Sequence, residues 1–412
     1  MQPILRDASL RDAPQDEAQT GPASRNMPTL NLPTSSGKIA PYTTRAPKKF
    51  PAPSAPFNRV AYAAAHVVGD PLADGNPWLD ASIDWDTTIA FRRHLWSLGL
   101  GVAEAMDTAQ RGMGMDWPHS LELIRRSLDA ARDFPGALIG SGAGTDHLAS
   151  GADVTIDDVI RAYEEQCAAV EKLGGRIILM ASRALVKAAR SPDDYAKVYA
   201  RILDQVKEPV IIHWLGEMFD PALDGYWGHK DHMKAMEVAV DVIASNPSKV
   251  DGVKISLLDK DKEIAMRRRL PQGVRMFTGD DFNYAELIAG DAQGYSDALL
   301  GIFDAIAPAA SAALGAFTRG EVAAFHEILS PTVPLSRHIF KAPTRFYKTG
   351  VVFMAYLNGL QDHFTMIGGQ ESTRSTLHLA ELFRLADAAG LLADPDVAVR
   401  RMKLVMATRG VH

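Results

Sequence analysis

Short apolar runs rich in Val, Ile, Leu and Ala alternate along this chain with longer stretches of helical periodicity. Such runs read as strands covered on both faces. They fall at Arg59–His66, Gly101–Met106, Ala137–Ser141, Arg176–Met180, Pro209–Trp214, Lys249–Ser256, Val274–Phe277 and Ala298–Phe303. Between them the pattern predicts helices from Ser82 to Leu98, Trp117 to Asp133, Thr155 to Leu173, Pro192 to Val206 and His232 to Ser245. Strands alternating with helices imply a parallel sheet, and eight such units close most naturally into a (β/α)8 barrel. The expected fold is therefore α/β, with a TIM barrel over residues 57–307. Residues 308–412 form a helical extension broken at Gly368-Gly369 and Gly390. Residues 1–56 are rich in Pro, Ser, Thr, Asp and Ala, show no sustained period and predict an irregular N-terminal arm.

One side chain interrupts its strand. Val250, Val253 and Ile255 supply the β-branched character of a buried run, and Lys254 sits among them. A lysine there either snorkels to water at the strand's end or occupies a pocket that lowers its pKa. In the second case the neutral amine can attack a carbonyl and form a Schiff base. Active sites of such barrels lie at the carboxyl ends of the strands, where His66, Asp107, Thr108, Gln110, His213, Asp280 and Asp281 also fall.

Composition narrows the class without naming the chemistry. The chain has 412 residues, 47% of them hydrophobic and 23% charged, with a net charge of −6. No basic run suggests nucleic acid, and Arg267-Arg268-Arg269 reads as a solvated patch. No apolar run nears the roughly 20 residues that span a bilayer. Nor is there the apolar core of a secretory signal, and Met27 is a candidate alternative start. The single cysteine, Cys167, falls in a helix and reads as a buried, inert thiol. A reducing cytoplasm is expected.

Several turns carry a more specific signal. Asp107-Thr108-Ala109-Gln110 follows the second strand, and Gly140-Ser141-Gly142-Ala143-Gly144-Thr145 follows the third. Asp251-Gly252-Val253-Lys254 and Thr278-Gly279-Asp280-Asp281 mark the sixth and seventh. In order and spacing this series resembles the dihydrodipicolinate synthase/N-acetylneuraminate lyase family of class I aldolases over about residues 58–393. The resemblance implies Lys254 as the Schiff-base lysine. It implies a substrate site drawing on Asp107, Gln110, Ser141, Gly279 and Asp280, and a homodimer or dimer-based homotetramer. It implies no cofactor and no metal.

Departures from the family pattern accompany it. His213 falls where the family places a proton-shuttling tyrosine at the end of strand five. Thr108 survives from a Gly-Thr-Thr-Gly loop. Met218 stands near the position of an arginine that dihydrodipicolinate synthases use, which argues against lysine biosynthesis. The expectation is a lyase or aldolase acting on a 2-keto acid or keto-sugar derivative, within carbohydrate catabolism, with Lys254, His213 and Thr108 catalytic. Blander readings stand beside each residue. Thr108 fits a helix cap, His213 a hydrogen-bonded strand end, Asp280 and Asp281 a loop anchor, and Gly140–Gly144 a tight turn. Two other functions remain open: a metal-dependent sugar isomerase or epimerase using His66, Glu104, His213 and Asp280, and a non-catalytic ligand binder.

Overall fold

The structure is a computed structural model that describes residues 26–53, 56–149, 151 and 153–412. Eight parallel strands close into a barrel in sequence order. They are β1 (Ala61–Ala64), β2 (Gly101–Glu104), β3 (Ile139–Ala143), β4 (Arg176–Leu179), β5 (Val210–Leu215), β6 (Val250–Ser256), β7 (Arg275–Thr278) and β8 (Asp297–Leu300). The barrel helices are α1 (Trp85–Ser97), α2 (Trp117–Ala131), α3 (Ile156–Lys172), α4 (Arg183–Ala188), α5 (Pro192–Gln205), α6 (His232–Ser245), α7 (Lys260–Arg267) and α8 (Tyr284–Ala289). Beyond β8 come α9 (Ile302–Ala305), α10 (Ala307–Thr318), α11 (Val322–Leu329), α12 (Val333–Ile339), α13 (Tyr347–Leu357), α14 (Thr376–Ala388) and α15 (Pro395–Ala407).

Local chemistry explains where the long helices start. Thr155 and Asp158 form a reciprocal capping box at α3, and the Asp231 carboxylate accepts from the Met233 and Lys234 amides at α6. Both satisfy amides that a helix's first turn leaves unpaired. Three expectations shift. β3 begins two residues later than its hydrophobic pattern suggests, so Gly140 to Ala143 are strand rather than a glycine-rich turn. α7 forms just before the three arginines, capped by Asp259, and Arg267 pairs with Asp291 at 2.8 Å. β8 stops at Leu300, and Ile302 and Phe303 already belong to α9.

The segment expected to be an irregular arm contains structure. Thr29–Pro33 pairs antiparallel with Ile39–Thr43, and Leu30 and Leu32 bury themselves against α14 and α15. Tyr42 donates to Asp387 at 2.7 Å, fixing the hairpin to α14. The apolar partners of this hairpin lie more than 300 residues away in sequence, so no local pattern reveals it. Residues 1–25 of that expected arm lie outside the described residues.

Inside the barrel, one apolar layer comprises Tyr62, Ala64, Ala103, Ile178, Ile211, Phe277 and Leu299. Tyr62 and Phe277 meet edge-on, with centroids 6.1 Å apart. Their rings fit because the facing positions are glycines. A Cβ on Gly101 would stand 2.7 Å from the Tyr62 ring, and one on Gly252 would stand 2.6 Å from that of Phe277. Pleating then turns the next inward residues of β5 and β6, His213 and Lys254, into the layer above this plug. They are register partners in the β5/β6 ladder.

The C-terminal helices cover the β1/β2 side of the mouth. α13 is buried along its whole length, packed among α9, α12, α14 and α15. Its first turn faces the loop after β2. The Gly252→Ala variant is expected to lose about 2 kcal/mol through overpacking against Phe277. Urea unfolding followed by tryptophan fluorescence measures it, and an unchanged midpoint would contradict the plug's dependence on this glycine.

Candidate active site

Lys254 is 5% exposed and lies on β6 above the aromatic plug. Burial lowers its pKa, opposed by the nearby Asp107 and Asp281 carboxylates. A larger fraction of neutral amine is thereby available than a free lysine would offer at the same pH. Gly279 makes the lysine's channel. Its amide donates to the Ile255 carbonyl at 3.0 Å, and a Cβ there would come within 2.9 Å of Lys254 Cε.

His213 is fully buried beside it. Burial and the Lys254 charge together hold its imidazole well below the ordinary histidine range, so the ring is neutral near pH 7. Nε2 lies 3.3 Å from Ser256 Oγ, and Nδ1 has no partner among the described residues.

Thr108 sits on the short 3-10 turn Asp107–Ala109 that follows β2. Its hydroxyl lies 2.7 Å from Tyr347 OH, and Tyr347 donates to Asp107 Oδ2, also at 2.7 Å. A phenol has one proton, and this one goes to the carboxylate, so the threonine hydroxyl donates to the tyrosine. Burial disfavours the Asp107 anion. Lys348, Lys254 and the Tyr347 hydrogen bond outweigh it, and the carboxyl titrates below its ordinary value. Burial and Asp107 hold the Tyr347 phenol well above its ordinary value, so it stays protonated. Thr108 therefore meets Tyr347 rather than His213. Lys348 Nζ is 3.9 Å from Asp107 and donates to the Arg345 carbonyl at 3.1 Å.

Asp281 closes the group from β7. Burial pushes its carboxyl up to about 8, although the Ile302 amide donates to it at 2.8 Å. The adjacent Asp280 spends its oxygens on the turn, accepting from the Phe282 and Asn283 amides and from Asn283 Nδ2. Glu263 of α7 lies behind that turn, accepting from Thr278 Oγ1 at 2.9 Å and Ser296 Oγ at 2.7 Å.

The residues marked in the sequence thus divide. Lys254, His213, Thr108, Asp107 and Gly279 come together. Asp280 anchors the loop after β7. Gln110, in a left-handed backbone conformation at φ 63°, donates to the Met113 and Ile367 carbonyls and ties that loop to the C-terminal segment. Ser141 pairs with Glu104 in the β2/β3 ladder. Glu104 faces outward, held by both arms of Arg92 and by Ser127, so alternation turns Ser141 outward as well. His66 is engaged by Asp304 at 2.7 Å and by Gln361 at 3.1 Å. The metal-ligand set imagined from His66, Glu104, His213 and Asp280 is therefore dispersed. Among the described residues no group of three or more His, Cys, Asp or Glu is placed to hold a metal ion. No described helix is long and apolar enough to cross a membrane.

Tyr347 and Lys348 were invisible to sequence reasoning. Their one signal is a polar, basic start, Arg345-Phe346-Tyr347-Lys348, on an otherwise apolar helix. Above the group, a cavity of about 230 Å3 opens between the loops after β2, β3 and β4, with Asp107 and Leu215 in its lining.

A family profile described as "Protein of unknown function (DUF993)" matches residues 30–411. The chain belongs to this DUF993 family. No curated protein sequence matches this DUF993 chain. Among solved structures, dihydrodipicolinate synthase from Aquifex aeolicus superposes with a TM-score of 0.61 at 10% identity, covering 81% of this chain and 99% of its own. The enzyme from Bacillus clausii gives 0.57 at 15% identity, covering 79% and 96%. The chloride-inhibited enzyme from Acinetobacter baumannii, complexed with pyruvate, gives 0.58 at 16% identity, covering 81% and 99%. This DUF993 chain shares their barrel fold.

Glu263 supplies a test of these environments. Burial pushes its carboxyl up to about 8 in the folded chain, against roughly 4.3 when unfolded. Between those values the folded state holds the extra proton, so the stability it contributes below pH 4 is lost as pH rises towards 8. Glu263→Gln cannot ionise. Its stability relative to the native chain is expected to rise from pH 5 to pH 8, read from urea midpoints, and parallel curves would contradict the assignment.

Proposed function

We propose that this protein is a class I lyase or aldolase that forms a Schiff base through Lys254. The observation that carries the reading is a buried lysine of lowered pKa at the barrel mouth, beside a neutral histidine and a threonine–tyrosine–carboxylate relay. Neutral Nζ attacks the substrate carbonyl carbon, and the carbonyl oxygen takes a proton. Expulsion of water from the carbinolamine leaves a protonated imine, which draws electrons from the neighbouring bond. Cleavage of a C–C bond or loss of a β-hydroxyl follows, and hydrolysis returns the amine.

Protons must move at each step, and the relay suits that task. Thr108 and Tyr347 are directed towards Asp107, which lines the cavity and titrates low enough to remain an acceptor. His213 Nδ1, neutral and without a partner among the described residues, is a second station for a proton. The substrate is a 2-keto acid or keto-sugar derivative, with a role in carbohydrate catabolism rather than lysine biosynthesis. Met218, following β5, offers no charge to a substrate there.

Borohydride reduction in the presence of 2-keto acids and ketoses, read by intact mass and peptide mapping, tests this reading. The expected result is a stable adduct on Lys254, absent in Lys254→Ala. Its formation rate should level off below pH 10.4, the pKa of a free lysine. A native chain that never forms an adduct overturns the reading. Tyr347→Phe should keep the fold, since only the hydroxyl is removed. It should lower turnover by about 100-fold or more, the usual scale of a lost proton-transfer group.

A further inference from the structure

The cavity that Asp107 lines also carries two arginines in very different states. Arg111 is fully spent. Nε and Nη2 donate to the Asp146 carboxylate at 2.9 and 2.6 Å, Nη1 to the Ala105 and Gly142 carbonyls, and Nη2 also to Gln166. Its side chain is 1% exposed. It braces the loop after β2 against β3.

Arg183, the first residue of α4, is committed at one nitrogen only. Nε pairs with Asp220, which fixes the plane of the guanidinium. Neither Nη atom donates to a described residue, and 40% of the side chain remains accessible. The fork lies against Gly112, where a Cβ would stand 2.8 Å from Nη1 and 3.1 Å from Nη2. Gly112 has a φ of +73°, so backbone conformation and guanidinium clearance both favour glycine there. Lys348, the other cation near Asp107, is 3% exposed and hydrogen-bonded to a carbonyl. Arg183 is thus the cation in the cavity lining that keeps free donors, among the described residues. A planar fork with paired N–H groups matches an oxyanion in two-point fashion.

We propose that Arg183 binds an anionic group, carboxylate or phosphate, at the end of the substrate remote from the carbonyl that Lys254 engages. The inference rests on the Schiff-base reading and narrows its substrate class. The substrate is a short carbonyl compound with a distal oxyanion, small enough for a cavity of about 230 Å3. Asp107 lines the same cavity and borders the lysine. One molecule can therefore extend from the amine towards the guanidinium.

Matched pairs in the borohydride assay test it: 2-oxopentanoate against 2-oxoglutarate, and dihydroxyacetone against its phosphate. In the native chain the anionic member of at least one pair should half-saturate trapping at a concentration about 10- to 100-fold lower, the usual scale of charged hydrogen bonds. Whichever pair shows the gap tells carboxylate from phosphate. Arg183→Gln should shrink it to within about threefold, and Arg183→Lys should leave an intermediate gap. Adducts on Lys254 with no preference in either pair would overturn this inference and leave the Schiff-base reading intact.

A carbonyl-free probe separates the two failures. Calorimetric titration with glutarate and glycerol 3-phosphate reads the anion site without chemistry. If nothing is trapped but one of them binds, and Arg183→Gln abolishes that binding, the anion site stands and the lyase reading falls. If neither trapping nor binding occurs, both are overturned.

Discussion

Everything at this barrel's mouth depends on keeping a lysine amine out of water. Burial disfavours the ammonium, and the fold supplies only partial compensation. Asp107 is held ionised by its own cationic neighbours, while Asp281 is pushed to about 8 and is largely protonated near pH 7. Two full counter-charges would trap the amine as a cation. None would leave the charged form too costly to appear at any step. One ionised and one protonated carboxyl hold Lys254 between these limits.

That balance rests on parts with no chemistry of their own. The plug of Tyr62 and Phe277 fills the barrel below the amine, and it fits because Gly101 and Gly252 surrender their side-chain space. Gly279 does the same beside the lysine stem. Such glycines are steric permissions. They let large groups approach in a closed barrel, where the strands cannot move apart.

The C-terminal helices are part of the site rather than an appendage. α13 is buried on every side, and its first turn brings a tyrosine and a lysine to a carboxylate some 240 residues earlier in the chain. Tyr347 is held on both sides, its ring stacked on Phe340 at 4.4 Å and its hydroxyl shared with Thr108 and Asp107. Such double anchorage limits rotation of the ring. Gln110 and His66 extend the same seam, binding the carbonyl of Ile367 and the side chain of Gln361.

The sequence by itself determined the barrel and its lysine. Strand and helix periods are local properties, so six of the strands and the long helices could be read almost in place. Lys254 stood out because a charged residue within a β-branched run contradicts its surroundings. Hidden from the sequence were groups joined by distance in space. The hairpin of Thr29–Thr43 reads as irregular until α14 and α15 cover it. Ser141 and Glu104 read as mouth or interior residues until closure of the barrel fixes which face of the pleat points inward. Tyr347 and Arg183 look like ordinary helix-start residues. Only tertiary structure decides that one of them joins Thr108 to Asp107 by hydrogen bonds and the other keeps its guanidinium open to a cavity. Periodicity records which faces are apolar, whereas the partners of a polar side chain depend on which segments the closed barrel brings together.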